Sequence, residues 1–438
     1  MRIERRLLSR VEGVAELELF WKNGQVNDAK VRIPTSRGIE KVLEGRPFMD
    51  ALVITPRVCG ICGHAHLMAC VRAIEDVIGK VKLSRKSKLL RDVTLLMEIV
   101  NNHIKWFYLF VMPDFLRLGG GLSEFEPFSG EKWKKAINVS SELLKIVALF
   151  GGQWPHSSYA VPGGITSNPT HSDLSKALLI LDRAFLFFLE DMVGMREDDF
   201  QNIRNAGLWE DIKGDLGVFI ELSIKYRMEK VGMSYNRFIT GGEIFPCVSQ
   251  GHFTGEKKLC FFNLSKIKEC HESSYSAAKA VRYGGLPYET GPLPRQFLSG
   301  NPFIRRMHKS FKDSYVTRVV SRVLEVWEML VTVKDKLISL YTFIDEPSFY
   351  TSYKRIEGVS GSGVGIAEAA RGTLIHRVWI EKGTIVRYRI ITPSVWNLGP
   401  RCERFLGVAE KAMVGLENPV QAEMVLRSFD VCSVCTTR

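Results

Sequence analysis

The 438-residue chain has no run of about 18 consecutive apolar residues, so no helix that crosses a bilayer is expected. Its start, Met1-Arg-Ile-Glu-Arg-Arg6, leads into alternating residues rather than the apolar core of an export signal. A phosphate-binding loop is also missing. Gly358-Val-Ser-Gly-Ser-Gly-Val-Gly365 is rich in glycine but lacks the Lys-Ser/Thr that holds phosphate and magnesium, and reads as a flexible loop. No repeat, low-complexity segment or linker interrupts the chain, which points to one domain over residues 1–438. No Lys/Arg cluster interleaved with aromatics accompanies the net charge of +12, so nucleic acid is not an expected partner. The basic excess suits an acidic protein partner or a host preference for Lys and Arg.

What the chain does have is two Cys-x-x-Cys pairs near opposite ends, Cys59/Cys62 and Cys432/Cys435. In a chain of reducing, cytosolic type this spacing reads as metal ligation rather than as disulfides. Each pair points two sulfurs at one ion, and a fold that joins the ends makes a four-thiolate site for nickel, iron or zinc. Structural zinc is the plain alternative, since two such pairs close a tetrahedral shell. Zinc ribbons clip a short local loop, however, whereas here nearly the whole chain separates Cys62 from Cys432. The other five cysteines, Cys70, Cys247, Cys260, Cys270 and Cys402, make no further ligand-spaced pair and are expected to be buried free thiols. No iron–sulfur run is present among them.

Periodicity describes an α-rich α+β fold, a large helical core with small sheet parts. Residues 14–34 alternate on either side of Lys22-Asn-Gly-Gln25, a hairpin pattern. Helices are predicted over 66–78, 87–111, 134–150, 172–203 and 313–341, and strands over 373–392. In the second helix Leu89, Val93, Leu96, Val100 and Ile104 form an apolar stripe.

Around the first pair, Arg57-Val-Cys-Gly-Ile-Cys-Gly-His-Ala-His66 resembles the signature of [NiFe] hydrogenase large subunits, and Asp430-Val-Cys-Ser-Val-Cys-Thr-Thr-Arg438 resembles their terminal motif. Ser9-Arg-Val-Glu-Gly13, Arg37-Gly-Ile-Glu40, Phe150-Gly-Gly-Gln-Trp-Pro-His156 and Val161-Pro-Gly-Gly-Ile-Thr166 resemble further family blocks, in the family's order. So do Tyr288-Glu-Thr-Gly-Pro-Leu293, Glu368-Ala-Ala-Arg-Gly372 and Thr392-Pro-Ser-Val-Trp-Asn397, so the resemblance covers essentially the whole chain.

The resemblance implies a hydrogenase large-subunit fold and reversible heterolytic cleavage of dihydrogen. Electrons would pass to an iron–sulfur small subunit in an obligate heterodimer or higher oligomer. It implies Cys59 and Cys432 as terminal nickel ligands, with Cys62 and Cys435 bridging to an iron that carries carbonyl and cyanide. Cys432 and Glu12 would handle the proton, and Arg371 would project over the metals. Ser394 would donate to a cyanide, Asp430 would hold Arg371, and His66 would support a cysteine sulfur. A maturation chaperone and an endoprotease are further implied partners. Alternatives within the resemblance are a hydrogen-sensing protein of slow turnover and a descendant, like the related respiratory complex I subunit, that has lost the metal. The four cysteines and Glu12 argue against the second. The compact length and the non-proline terminal motif suit the soluble uptake-type and sensory branches rather than the periplasmic one, in the cytoplasm or on its membrane face.

Several positions depart from the family pattern. Val431 and Ala370 stand where proline is usual, and Asn102 stands where many relatives carry an acid opposite the arginine. Many relatives also bind magnesium or iron through a glutamate, a backbone carbonyl and a terminal histidine. Those positions are Glu40, Ile390 and Arg438 here, and a guanidinium has no lone pair to offer a metal. The expectation is that Arg438 replaces the ion and pairs with Glu40; retained magnesium completed by water or the terminal carboxylate is the rival.

Overall fold

The structure, a computed structural model, describes residues 2–79, 81–119, 121–242, 250–270, 273–350, 358–402 and 404–436. The helical core is built from α3 (Arg85–Lys105), α4 (Glu131–Gly151), α5 (His171–Phe187) and α6 (Tyr315–Phe343), after the short α1 (Ile39–Leu43) and α2 (Gly63–Ile78). Within the core α3 packs on α4 and α6, and α5 on α4 and α6. Side chains stop the helix starts from fraying: Ser84 Oγ accepts from the Ser87 N–H, Ser314 Oγ from Thr317, and Thr170 with Asp173 forms a capping box. The predicted stripe of α3 faces inward, with Val93, Leu96, Val100 and Ile104 buried and Leu89 at its margin. Among the described residues no helix is long and apolar enough to cross a membrane.

Small antiparallel sheets flank this core. The predicted hairpin is β2 (Glu16–Lys22) and β3 (Gln25–Arg32), widened by β1 (Arg2–Leu7) into the order β1-β2-β3. A hairpin of β4 (Ile267–Cys270) and β5 (Ala280–Tyr283) lies between the helices in sequence. A third sheet joins β6 (Gly361–Ala369), β7 (Gly372–Glu381) and β8 (Thr384–Ile391), followed by the short helix α7 (Pro393–Asn397).

Four expectations need correction. The glycine-rich 358–365 segment is largely strand, because β6 lies directly against α2. A Cβ on Gly363 or Gly365 would fall inside the contact shells of the Ala73 and Ala69 carbonyl oxygens, so glycine serves close approach there rather than flexibility. The predicted 172–203 helix breaks: α5 widens into a π turn at Phe188–Met192, and a separate helix runs over Glu197–Asn205. The predicted 87–111 helix likewise passes into a π turn at Trp106–Val111. Finally, Cys270 and Cys402 are joined as a disulfide and Cys260 is exposed, so of the five extra cysteines only Cys70 is a buried free thiol as expected; Cys247 lies outside the described residues. The 132-residue separation of that pair hides it from any spacing rule.

Gly365→Ala forces β6 off α2 and should lower unfolding free energy by about 1–3 kcal/mol, read by chemical denaturation of the purified chain. An unchanged denaturation midpoint would show that the strand and helix are not in such close contact.

Candidate metal centre

Residues from the two ends of the chain meet in the core. A 3-10 turn over Thr55–Val58 delivers Cys59 in extended backbone, and Cys62 sits at the N-cap of α2. At the other end Cys432 caps the 3-10 turn Ser433–Cys435. Sulfur-to-sulfur distances are 3.7 Å for Cys59–Cys432, 3.6 Å for Cys62–Cys435 and 3.0 Å for Cys432–Cys435. All four side chains are buried, at 6 % exposure or less.

Several contacts hold the C-terminal turn in place. Glu12 forms a parallel bridge with Cys432: its N–H donates to Val431 O at 3.1 Å, and Ser433 N–H donates to Glu12 O at 2.9 Å. Ser433 Oγ accepts from the Val14 N–H at 2.8 Å, and a Cβ on the intervening Gly13 would collide with that hydroxyl. Thr392 Oγ1 donates to Cys435 O at 2.6 Å. Arg37, unassigned in the sequence, donates to the Val58 carbonyl and to Val434 O at 3.1 Å, tying the two cysteine turns together.

The electrostatics fit a cation. Contacts with the sulfurs of Cys432, Cys435 and Cys62 push the Cys59 thiol well down, while the Cys432 contact and then Cys59, Cys62 and burial push Cys435 well up. Four thiolates at these separations need a soft, highly charged ion to ionise together. Arg371 projects from the turn between β6 and β7, its Nε donating to Asp430 O at 2.9 Å and Nη2 to Asp430 Oδ1 at 3.0 Å. Burial opposes its charge, yet Asp430 and then the sulfurs outweigh burial and hold it protonated. Its Nη1 and the hydroxyl of Ser394 are buried without a hydrogen-bond partner. Both positions were expected to donate to a group on the metal, and an orphaned donor at each fits that group.

Asp430 also accepts from Arg322 Nη1 at 2.8 Å, so two arginines share one aspartate. Asn102 offers Arg322 only an amide oxygen at 3.4 Å, as its neutral side chain dictates. Arg322 lies over the Trp106 ring at 4.4 Å, within the π turn that follows α3. Another residue missed in the sequence, Arg295, grips Glu325 with two hydrogen bonds of 2.8 and 2.7 Å and donates to Glu368 Oε2 and Ala369 O, both at 2.9 Å. It therefore fixes the backbone that launches Arg371.

His66 Nδ1 meets His376 Nε2 at 3.0 Å, and His376 Nδ1 meets the Tyr388 hydroxyl at 2.7 Å, so Nδ1 is engaged by the β7–β8 sheet. Burial brings His66 down to about 4, leaving it neutral. Glu12 is half-buried; burial raises its carboxyl against the pull of Arg371. Arg438 and its expected pairing lie outside the described residues.

Magnesium does not fit the Glu40 site. Glu40 Oε1 already accepts from Lys279 Nζ and from the Ile390 N–H, both at 2.8 Å, and Oε2 from Arg389 Nη1 at 3.0 Å. A divalent ion about 4 Å from that ammonium would meet a repulsion of about 8 kcal/mol at an effective dielectric near 20.

The centre offers four buried sulfurs suited to a soft metal, with Arg371 in electrostatic reach of them. The model of the nickel-dependent hydrogenase family matches residues 37–122 and 233–438, and the chain belongs to that family. It is 27 % identical to the periplasmic [NiFeSe] hydrogenase large subunit of Desulfomicrobium baculatum, over 98 % of this chain and 93 % of the relative. It is 28 % identical to the sulfhydrogenase 2 subunit alpha of Pyrococcus furiosus, over 100 % and 98 %. The Ni-Fe-Se hydrogenase structure from D. vulgaris Hildenborough superimposes with a TM-score of 0.84 at 25 % identity, each chain fully covered. The protein is a hydrogenase with the large-subunit fold.

One buried acid near the centre carries a pH signature. Glu98 on α3 accepts from the N–H groups of His64 and Ala65 at 2.9 and 3.1 Å, yet burial outweighs them and raises it to about 8. A folded-state value above the unfolded one means the native chain keeps a proton that the unfolded chain releases, so this residue's contribution to stability falls as pH rises from about 4.5 to about 8. Glu98→Gln should flatten the pH dependence of unfolding free energy across that window by up to one proton; a slope identical to the native chain's would contradict it.

Proposed function

We propose that the four cysteines hold nickel and iron, Cys59 and Cys432 on nickel alone and Cys62 and Cys435 shared with an iron bearing carbonyl and cyanide. The observation that carries this reading is the pairing of sulfurs from opposite chain ends, Cys59 with Cys432 and Cys62 with Cys435, together with the orphaned donors on Arg371 and Ser394. When bound, such a pair supplies the electron-rich site at which dihydrogen is split into two protons and two electrons.

The residues around it manage charge. The Cys432 sulfur takes the first proton, sheltered from water by complete burial. Glu12 is the next station: its backbone is stitched to Cys432, and burial raises its carboxyl, which favours holding a proton there. Arg371, fixed by Asp430 and by Arg295 through the preceding backbone, presents a preorganised positive charge over the metals. With no other cysteine-ligated cluster among the described residues, electrons pass to a partner, which we infer to be an iron–sulfur small subunit. Its interface is expected to exceed about 2,000 Å². The reading of residues 1–438 as one domain, placed in the cytoplasm or at its membrane face, belongs to the same proposal.

Glu12→Gln tests the reading. In the complex matured in a host that builds the cofactor, the carbonyl and cyanide infrared bands should persist while hydrogen oxidation falls by at least about 100-fold. Native-like turnover would remove Glu12 from the proton path. Absence of those bands from the native complex would remove the nickel–iron reading altogether. The native rate separates a catalytic subunit from a hydrogen sensor.

A further inference from the structure

Lys279 has no place in the metal centre, yet its ammonium is fully buried. It lies just before β5, in a loop tied to the end of β3 by Ala277 N–H to Ile33 O at 2.8 Å and Ile33 N–H to Ser276 Oγ at 3.1 Å. That places the ammonium between two carboxylates from different elements, Glu40 of α1 at 2.8 Å and Glu269 of β4 at 2.7 Å. Arg389 completes the group on the other oxygen of Glu40 at 3.0 Å. Within ion-pair distance two carboxylates face two cations among the described residues, with Arg377 in further electrostatic reach of Glu269.

We propose that the Lys279 ammonium occupies the position that a divalent cation takes in many relatives, so that this chain braces its C-terminal region with a metal-free ion cluster. The inference concerns the Glu40 site, and metals at the four cysteines are a separate matter. The brace reaches the centre by a short route. Glu40 holds the Ile390 N–H at the end of β8, and two residues further on Thr392 grips the Cys435 carbonyl. The Lys279 nitrogen thus joins α1 to the β4–β5 hairpin, and Glu40 carries the link on to β8. A buried ion cluster loses far more from removal of one partner than an exposed pair does, so Lys279 is a structural cation rather than a surface charge.

The test is a metal count on the purified, matured complex after exhaustive dialysis against EDTA. Magnesium and other non-nickel divalent ions at the Glu40 site should fall below about 0.1 per chain, with no change in thermal midpoint and none when magnesium chloride is added back. About one magnesium per chain surviving chelation, or a midpoint that falls with EDTA and returns with magnesium, overturns the proposal. Nickel and iron are counted in the same sample, so failure of the nickel–iron reading registers separately and leaves the magnesium count intact. Lys279→Gln opens the site: its midpoint should rise by more than about 2 °C with magnesium chloride while the native midpoint stays still. A folded variant no more responsive than the native chain counts against the replacement, and the native metal count decides if the variant does not fold. Lys279→Arg, which keeps the charge, should restore the native indifference to magnesium.

Discussion

Mutual repulsion among four buried sulfurs governs this structure. Cys59, Cys62, Cys432 and Cys435 lie where all four cannot be thiolates unless a cation joins them, and they come from segments at opposite ends of the chain. The surrounding architecture keeps that arrangement in being. Glu12, Ser433, Thr392 and Arg37 fasten the last turn of the protein to its N-terminal strand region, to β8 and to the first cysteine turn. Metal binding and closure of the chain are therefore coupled: a ligand set assembled from both ends gains its geometry only in the folded state.

A second layer controls charge. Arg371 and Arg322 share Asp430, and the excess positive charge faces the sulfurs, which is where an anionic metal cluster benefits from it. Asn102 leaves this balance more positive than an acid there would. Beneath it, Arg295, Glu325, His103 and Glu368 form a dry network in which Arg295 is bonded to two carboxylates and to the backbone ahead of Arg371. Full pairing makes such burial tolerable, since an isolated charge there would cost several kcal/mol.

Local rules go a long way in this chain. The cysteine pairs, Glu12, Arg371, Asp430 and Ser394 stand in contiguous motifs; the structure brings the sulfurs, Glu12, Arg371 and Asp430 together and leaves the Ser394 hydroxyl buried without a partner. The apolar stripe of α3 and the β2–β3 hairpin follow from periodicity alone. What escaped depends on partners distant in sequence. Gly363 and Gly365 look flexible until α2 is seen to lie against them. The Cys270–Cys402 bond spans 132 residues, Lys279 meets Glu40 from 239 residues away, and Glu98 reaches the α2 N-terminus from 34 residues away. Arg37 sits in a family block, yet its task of joining Val58 to Val434 becomes visible only when both ends of the chain are in place. At His66 the fold supplies a partner that the motif does not name, His376.

Hydrogen chemistry at this centre requires that the four sulfurs bind nickel beside iron. X-ray absorption at the nickel edge of the matured complex tests that without relying on turnover. About one nickel per chain is expected, with a first shell of sulfur scatterers from four cysteines and an iron scatterer beyond them. A chain that carries zinc in place of nickel, in a closed tetrahedral sulfur shell with no iron nearby, would contradict it.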